Sequence, residues 1–225
     1  MGEGDDCMEW RRGIICASVC LAFLILVGPH ADAQVLYYND CSKLPAQALP
    51  ANSLSSVALS NGGYLYSFNY NKNKQNAHTS CYFGLLDAGF LQENVRIAFT
   101  ATLIAGEAGM YFGLLFGASD TSFLRKHAVL ISGEGHYMIV EPDPDGGSQS
   151  RLVENLDSNY IVRGTGVRNS VRIDIRDRTV EFFVNQEKMT TVSTREPARG
   201  FLGLYLNQPG ISVLYDEIRV ERLAK

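Results

Sequence analysis

Acidic side chains stand at alternate positions, Glu141, Asp143 and Asp145, in the stretch EPDPDGG. Carboxylates spaced this way before a glycine could ligate Ca²⁺, which takes several oxygens and usually a later bidentate glutamate. Leu152 stands where that glutamate would fall. Two carboxylates flanking a glycosidic bond could instead hydrolyse it. The interleaved Pro142 and Pro144 and the trailing Gly146-Gly147 favour a third reading, a solvated turn.

Other reactive types are scattered. His78, His127 and His136 show no H-x-H or H-E-x-x-H spacing, and no G-x-S-x-G marks a serine nucleophile. Aromatic and amide groups offer the best route to binding, because sugar rings stack on aromatic faces while their hydroxyls bond to amides and carboxylates. Tyr66, Asn69 and Tyr70, in YLYSFNYNKN, are the candidate ligand-binding residues. The competing reading makes Tyr64, Tyr66 and Phe68 packing residues at the strand period. The single tryptophan, Trp10, falls in the N-terminal segment described next.

That segment bounds the chain. Gly13 to Gly28 is an apolar run preceded by Arg11-Arg12 and followed by Ala31-Asp32-Ala33, a small-x-small pattern, and reads as a secretory signal peptide cut after Ala33. An uncleaved anchor is the alternative, although the run is shorter than the ~18 to 20 apolar residues of a spanning helix. The expected location is therefore secreted or otherwise extracytoplasmic, with no membrane span after cleavage. Composition, 46% hydrophobic and 20% charged, suits a globular chain. The net charge of −4 over 225 residues leaves no basic footprint for nucleic acid. Outside the leader only Cys41 and Cys81 remain, and two cysteines in an exported domain predict one disulfide, worth roughly 3 to 4 kcal/mol in the chain-entropy model. Two separate buried thiols are the alternative.

Strands must position whatever site exists. In VRNSVRIDIRDRTVEFFVNQ, Val171, Ile173 and Ile175, then Val180, Phe182 and Val184, form an apolar row on either side of a short break, which predicts a β-hairpin with one buried face. VRIAFTATL alternates similarly from Val95. MYFGLLFG is apolar on both faces and reads as a central strand. SFLRKHAVLIS and HYMIVEP flank the turn Gly133-Glu134-Gly135, Arg151 to Val153 suggests a short strand, and GFLGLYL and ISVLYDEIRV close the set. In the last of these a β-bulge near Asp216-Glu217 would bring Val213, Tyr215, Ile218 and Val220 to one face. Residues 34–60 read as an irregular lead-in with one short strand, and 61–225 as a single all-β domain.

The order and spacing from VRIAFTATL through YFGLLFGASDTSFLRKHAVLISGEGHYMIV and RNSVRIDIRDRTVEFFVNQEKMTTV to RGFLGLYL and SVLYDEIRVERL resembles a concanavalin A-like lectin/glucanase domain of the laminin-G-like kind. The resemblance implies an antiparallel β-sandwich of jelly-roll type. Asp177-Arg178 and Gln186 occupy turn positions where the family usually has glycine. The acidic strand pattern E-x-D-x-E of glucanases with this fold is not matched. The family spans lectins, hydrolases and adhesion modules, and fold does not imply function. The expectation is a non-catalytic recognition module without a required cofactor, its partner a glycan or a cell-surface or extracellular protein. An adhesion domain and a glycoside-active enzyme with unrecognised carboxylates are the alternatives.

Overall fold

Alternating side chains become strands along most of the described residues. The computed structural model describes residues 34–44, 48–50, 55–69, 80–85, 88–89, 91, 94–120, 122–123, 125–143 and 150–224; the expected leader lies outside them. The strands are β1 (Val35–Asn39), β2 (Ala48–Pro50), β3 (Ser55–Ser60), β4 (Gly63–Phe68), β5 (Cys81–Leu85), β6 (Val95–Ala105), β7 (Tyr111–Ala118), β8 (His127–Ser132), β9 (His136–Glu141), β10 (Ser150–Asp157), β11 (Arg168–Arg176), β12 (Thr179–Val184), β13 (Glu187–Ser193), β14 (Phe201–Leu206) and β15 (Ile211–Arg222).

They form two antiparallel sheets. One has eight strands, in the order β13-β12-β11-β6-β15-β4-β3 with β1 also paired to β15; the other has seven, in the order β10-β9-β8-β7-β14-β5-β2. Their inner faces close on each other, as the alternation requires. Val171, Ile173, Ile175, Val180, Phe182 and Val184 are all buried, and β11 pairs with β12 without a register break from Val171↔Val184 to Arg176↔Thr179. The Phe182 ring meets Tyr137 of the facing sheet at 5.6 Å between centroids. Tyr215 crosses the core as well: its hydroxyl is shared between the carbonyls of Gly113 (3.1 Å) and Tyr205 (3.0 Å) and accepts the Gly113 N–H at 3.1 Å. A side chain at Gly113 would bring a Cβ to 2.1 Å from the Val129 carbonyl oxygen, so glycine is required there.

Local chemistry explains the irregular points. The bulge expected in the last strand is present: the β15–β6 register shifts between Asp216 and Arg219, with Glu217 at φ 53°. Asn185 (φ 50°) and Gln186 (φ 74°) form the two-residue β12–β13 turn, and positive φ at both central residues is the type I′ geometry that follows strand twist. Asp177, at φ 51° in the β11–β12 turn, is held by its N–H donating to Asn94 Oδ1 (3.0 Å).

Two expectations change. Residues 34–60 supply three strands where one was expected: β1, the expected short strand, pairs with β15, while β3 adds to β4 and β2 to β5 at the sheet edges, pairings that no local periodicity announces. Cys41 and Cys81 are free buried thiols and not the expected disulfide. Each has its own surroundings: Cys41 follows β1 at φ 57° with its thiol 3.7 Å from the Asn39 carbonyl, whereas Cys81 opens β5 of the other sheet against Tyr66. Burial pushes their pKa values from 9.0 to about 11 and about 12. Among the described residues no helix is long and apolar enough to cross a membrane.

Candidate functional site

The outward face of the seven-stranded sheet carries apolar residues too. Tyr111, Leu115, Ala118, Ala128, Leu130, Val140 and Tyr205 belong to a second buried cluster there. Part of this face is closed by the β7–β8 connection. Phe123, at φ 53°, sits 4.9 Å from Tyr82 between ring centroids, and a Cβ on Gly203 would touch its ring edge at 3.2 Å. Tyr82 donates to the Ser122 carbonyl (2.7 Å), and Lys126 Nζ donates to the Phe123 carbonyl (2.8 Å), which fixes the connection in place. Burial lowers the pKa of Lys126.

Toward β9 and β10 the face opens into a cleft of about 360 Å³, lined by Gly109, Tyr111, Glu134, His136, Met138, Arg151, Glu154 and Asn155. Strand parity delivers part of this set: on β9, Tyr137 and Ile139 point into the core, so His136 and Met138 point out. Irregularity delivers the rest. β10 shifts register against β9 between Arg151 and Val153 and again between Val153 and Leu156, and Asn155 takes φ 48°. Such bulges re-aim side chains and recur beside binding sites. Here they bring Arg151, Glu154 and Asn155 to the same side of the sheet.

Hydrogen bonds organise the cleft. Tyr111 donates its hydroxyl to Asn155 Oδ1, and its backbone N–H donates to Asn207 Oδ1 at 2.8 Å. Burial and then the nearby Glu134 raise the Tyr111 pKa, against the pull of Arg151. Glu134 Oε2 lies 3.6 Å from His136 Nδ1, and Arg151 pairs with Glu154. An aromatic ring, a thioether, an amide, two carboxylates, an imidazole and a guanidinium thus converge on one cleft. This combination of apolar lining and a few placed polar groups is the general character of small-ligand sites.

The residues singled out from sequence lie elsewhere. Tyr66 is fully buried, 5.8 Å from Phe83 between ring centroids, with its hydroxyl against Cys81 and Ser55, so its packing reading is the observed one. Asn69 is exposed just past β4, and Tyr70 and Asp145 lie outside the described residues. Glu141 is buried and committed: Oε2 accepts the Arg195 N–H at 2.8 Å, and Oε1 lies 3.2 Å from Arg195 Nε. That pairing ties β9 to the segment after β13 and occupies the oxygens a calcium ion would need. Asp143 is half-buried just after β9. Among the described residues no three His, Cys, Asp or Glu side chains are grouped to hold a metal. Nothing in the sequence flagged Tyr111 or Asn155, because the first reads as core in an apolar run and the second as loop in VENLDSN.

No family model matches the chain, and no curated protein matches its sequence. Solved structures match its shape. The carbohydrate-binding module CBM66 from Bacillus subtilis superposes with a TM-score of 0.60 at 8% identity, covering 77% of this chain and 94% of that one. A B. subtilis protein of unknown function with a galectin-like fold gives 0.62 at 12%, covering 84% and 96%. The catalytic domain of an endo-1,3-β-glucanase (laminarinase) from Thermotoga petrophila gives 0.61 at 11%, covering 86% and 99%. The likeness is one of fold: this chain is an antiparallel jelly-roll β-sandwich, as these structures are.

Proposed function

We propose that this chain, built on the concanavalin A-like lectin/glucanase fold, is an exported, non-catalytic recognition module that binds carbohydrate in the cleft beside β10. The observation that carries the reading is the convergence of Tyr111, Met138, Asn155, Arg151, His136 and Glu154 on one open cleft. The half-buried Met138, with the small part of Tyr111 that reaches the surface, suits the C–H face of a sugar, and the amide and charged groups suit its hydroxyls. Solved structures of this fold that bind or cleave glycans support the same ligand class.

A glycan array followed by calorimetry on the mature protein tests this. A specific sugar should bind, and Asn155→Ala and Arg151→Ala should each weaken it at least tenfold. A flat array overturns the reading, and a protein captured in the same experiment would favour the adhesion alternative. A second reading rests on Glu134 and Glu154, two carboxylates lining the same cleft. As a facing pair they could act as acid and base on a glycosidic bond. Turnover of a polysaccharide panel that disappears in Glu154→Gln would establish the enzyme; intact polysaccharides would leave the binding module.

A further inference from the structure

From the end of β10 into its connection to β11 the chain leaves the cleft carrying large apolar side chains into solvent: Leu156 near the end of β10 is 49% exposed, and Tyr160 and Val162 on the connection are 53% and 49%. Such residues on a loose loop would be unremarkable, but this loop is pinned along its length. Ser158 N–H donates to the Gly135 carbonyl (2.9 Å), Tyr160 N–H to Ser158 Oγ (3.1 Å), Gly164 N–H to the Gly133 carbonyl (2.8 Å) and Gly166 N–H to the Leu103 carbonyl (2.7 Å). Asn169 clamps Val162 at both its N–H (2.8 Å) and its carbonyl (3.0 Å). Asn185 donates to the Tyr160 carbonyl and to Asn169 Oδ1, both at 2.8 Å. An exposed aromatic on a backbone fixed in this way loses little entropy when a ligand arrives.

The loop is also continuous with the cleft. Asn155 lines the cleft and Leu156 follows it; Asp157 pairs across with His136, another lining residue. Arg163 returns onto the same place, since a Cβ on Gly135, between Glu134 and His136, would meet Arg163 Nε at 2.7 Å. Tyr160 is three residues past Asp157, at most about 11 Å of extended chain. We infer that Tyr160 is a second sugar platform, taking the further rings of an oligosaccharide whose first ring sits in the cleft. This rests on the carbohydrate reading above and makes the ligand a chain of several sugars and not a terminal monosaccharide.

The test titrates di- to hexasaccharide series of β-1,3-gluco-, N-acetyllactosamine and fructo-oligosaccharides into wild type, Tyr160→Ala, Asn155→Ala and, as a control, Tyr38→Ala, an exposed tyrosine on β1. In the series that binds, wild-type affinity should rise with length. Tyr160→Ala should lose about tenfold on the longer members and nothing on the disaccharide, Asn155→Ala should lose on all, and Tyr38→Ala on none. Length-independent affinity, or Tyr160→Ala matching wild type on the hexasaccharide, overturns the second platform while leaving the cleft reading intact. No binding to any series by wild type removes both.

Discussion

The hairpins β11–β12 and β9–β10 each lie toward one edge of their sheets, yet they are built oppositely. In β11–β12 the register runs unbroken and every inward residue from Val171 to Val184 is buried. In β9–β10 the register slips twice within eight residues of β10, one backbone angle turns positive, and the polar groups gather at an open cleft. Regular alternation commits side chains to two faces and leaves none to spare. Breaking the alternation costs pairing and strain but frees side chains to point where a ligand can meet them.

The largest expected effect comes from cutting into the regular hairpin. Phe182→Ala removes a fully buried ring that packs on Tyr137 and should cost about 3 to 5 kcal/mol. Tyr160→Ala, beyond the bulged strand, should stay within ~0.5 kcal/mol. Denaturant unfolding reads both, and equal losses would erase the contrast.

Acid should load the β8–β9 side next. His127 on β8 is buried, stacks on Phe116 at 5.5 Å, and has no hydrogen-bond partner among the described residues on either ring nitrogen. Burial takes its pKa from 6.5 to about 4. Between those values the unfolded chain binds the extra proton, so stability is complete above pH 6.5 and falls as the pH drops toward 4, by about 3 kcal/mol. His127→Leu should flatten that part of the pH profile without loss at neutral pH; an unchanged profile would assign the acid sensitivity elsewhere.

Turn chemistry gives a smaller change. Gln186 holds φ 74° where glycine would be unstrained, so Gln186→Gly should raise stability by about 1 kcal/mol in thermal unfolding. A drop would mean that the side chain contributes more than its backbone costs. A stability effect as small as that at Tyr160, and the sharpest contrast, belongs to Asn155→Gly. Glycine accepts the φ of 48°, so stability should move by less than ~0.5 kcal/mol, while glycan binding should fall at least tenfold through loss of the amide that holds the Tyr111 hydroxyl. Unaltered binding would take Asn155 out of the site.

The same contrast explains what could be read from sequence. The row from Val171 to Val184, the apolar β7 and the bulge at Asp216–Glu217 were legible because each is a statement about side-chain period. β1 was legible as a short strand but not its pairing with β15, and β2 and β3 were missed, because their pairing is long-range and their local pattern weak. The cleft was missed for a related reason: once β10 slips, parity no longer tells which way Arg151, Glu154 or Asn155 points. Tyr66 shows the opposite case, a side chain of sugar-binding type on a perfectly regular strand, where the packing reading holds because regularity places it in the core. Glu141 likewise looked like part of an acidic loop and turned out to anchor the segment at Arg195.

The Tyr215 hydroxyl that reaches Gly113 has a mechanical consequence. Packed side chains interlock and resist sliding, and a directional bond fixes the offset of the two sheets more narrowly than shape alone. Gly113 is two residues from Tyr111, which lines the cleft, and the Glu141–Arg195 pairing is a second polar tie from the seven-stranded sheet. A force on the eight-stranded sheet would therefore reach the cleft through these polar ties as well as through the packed core.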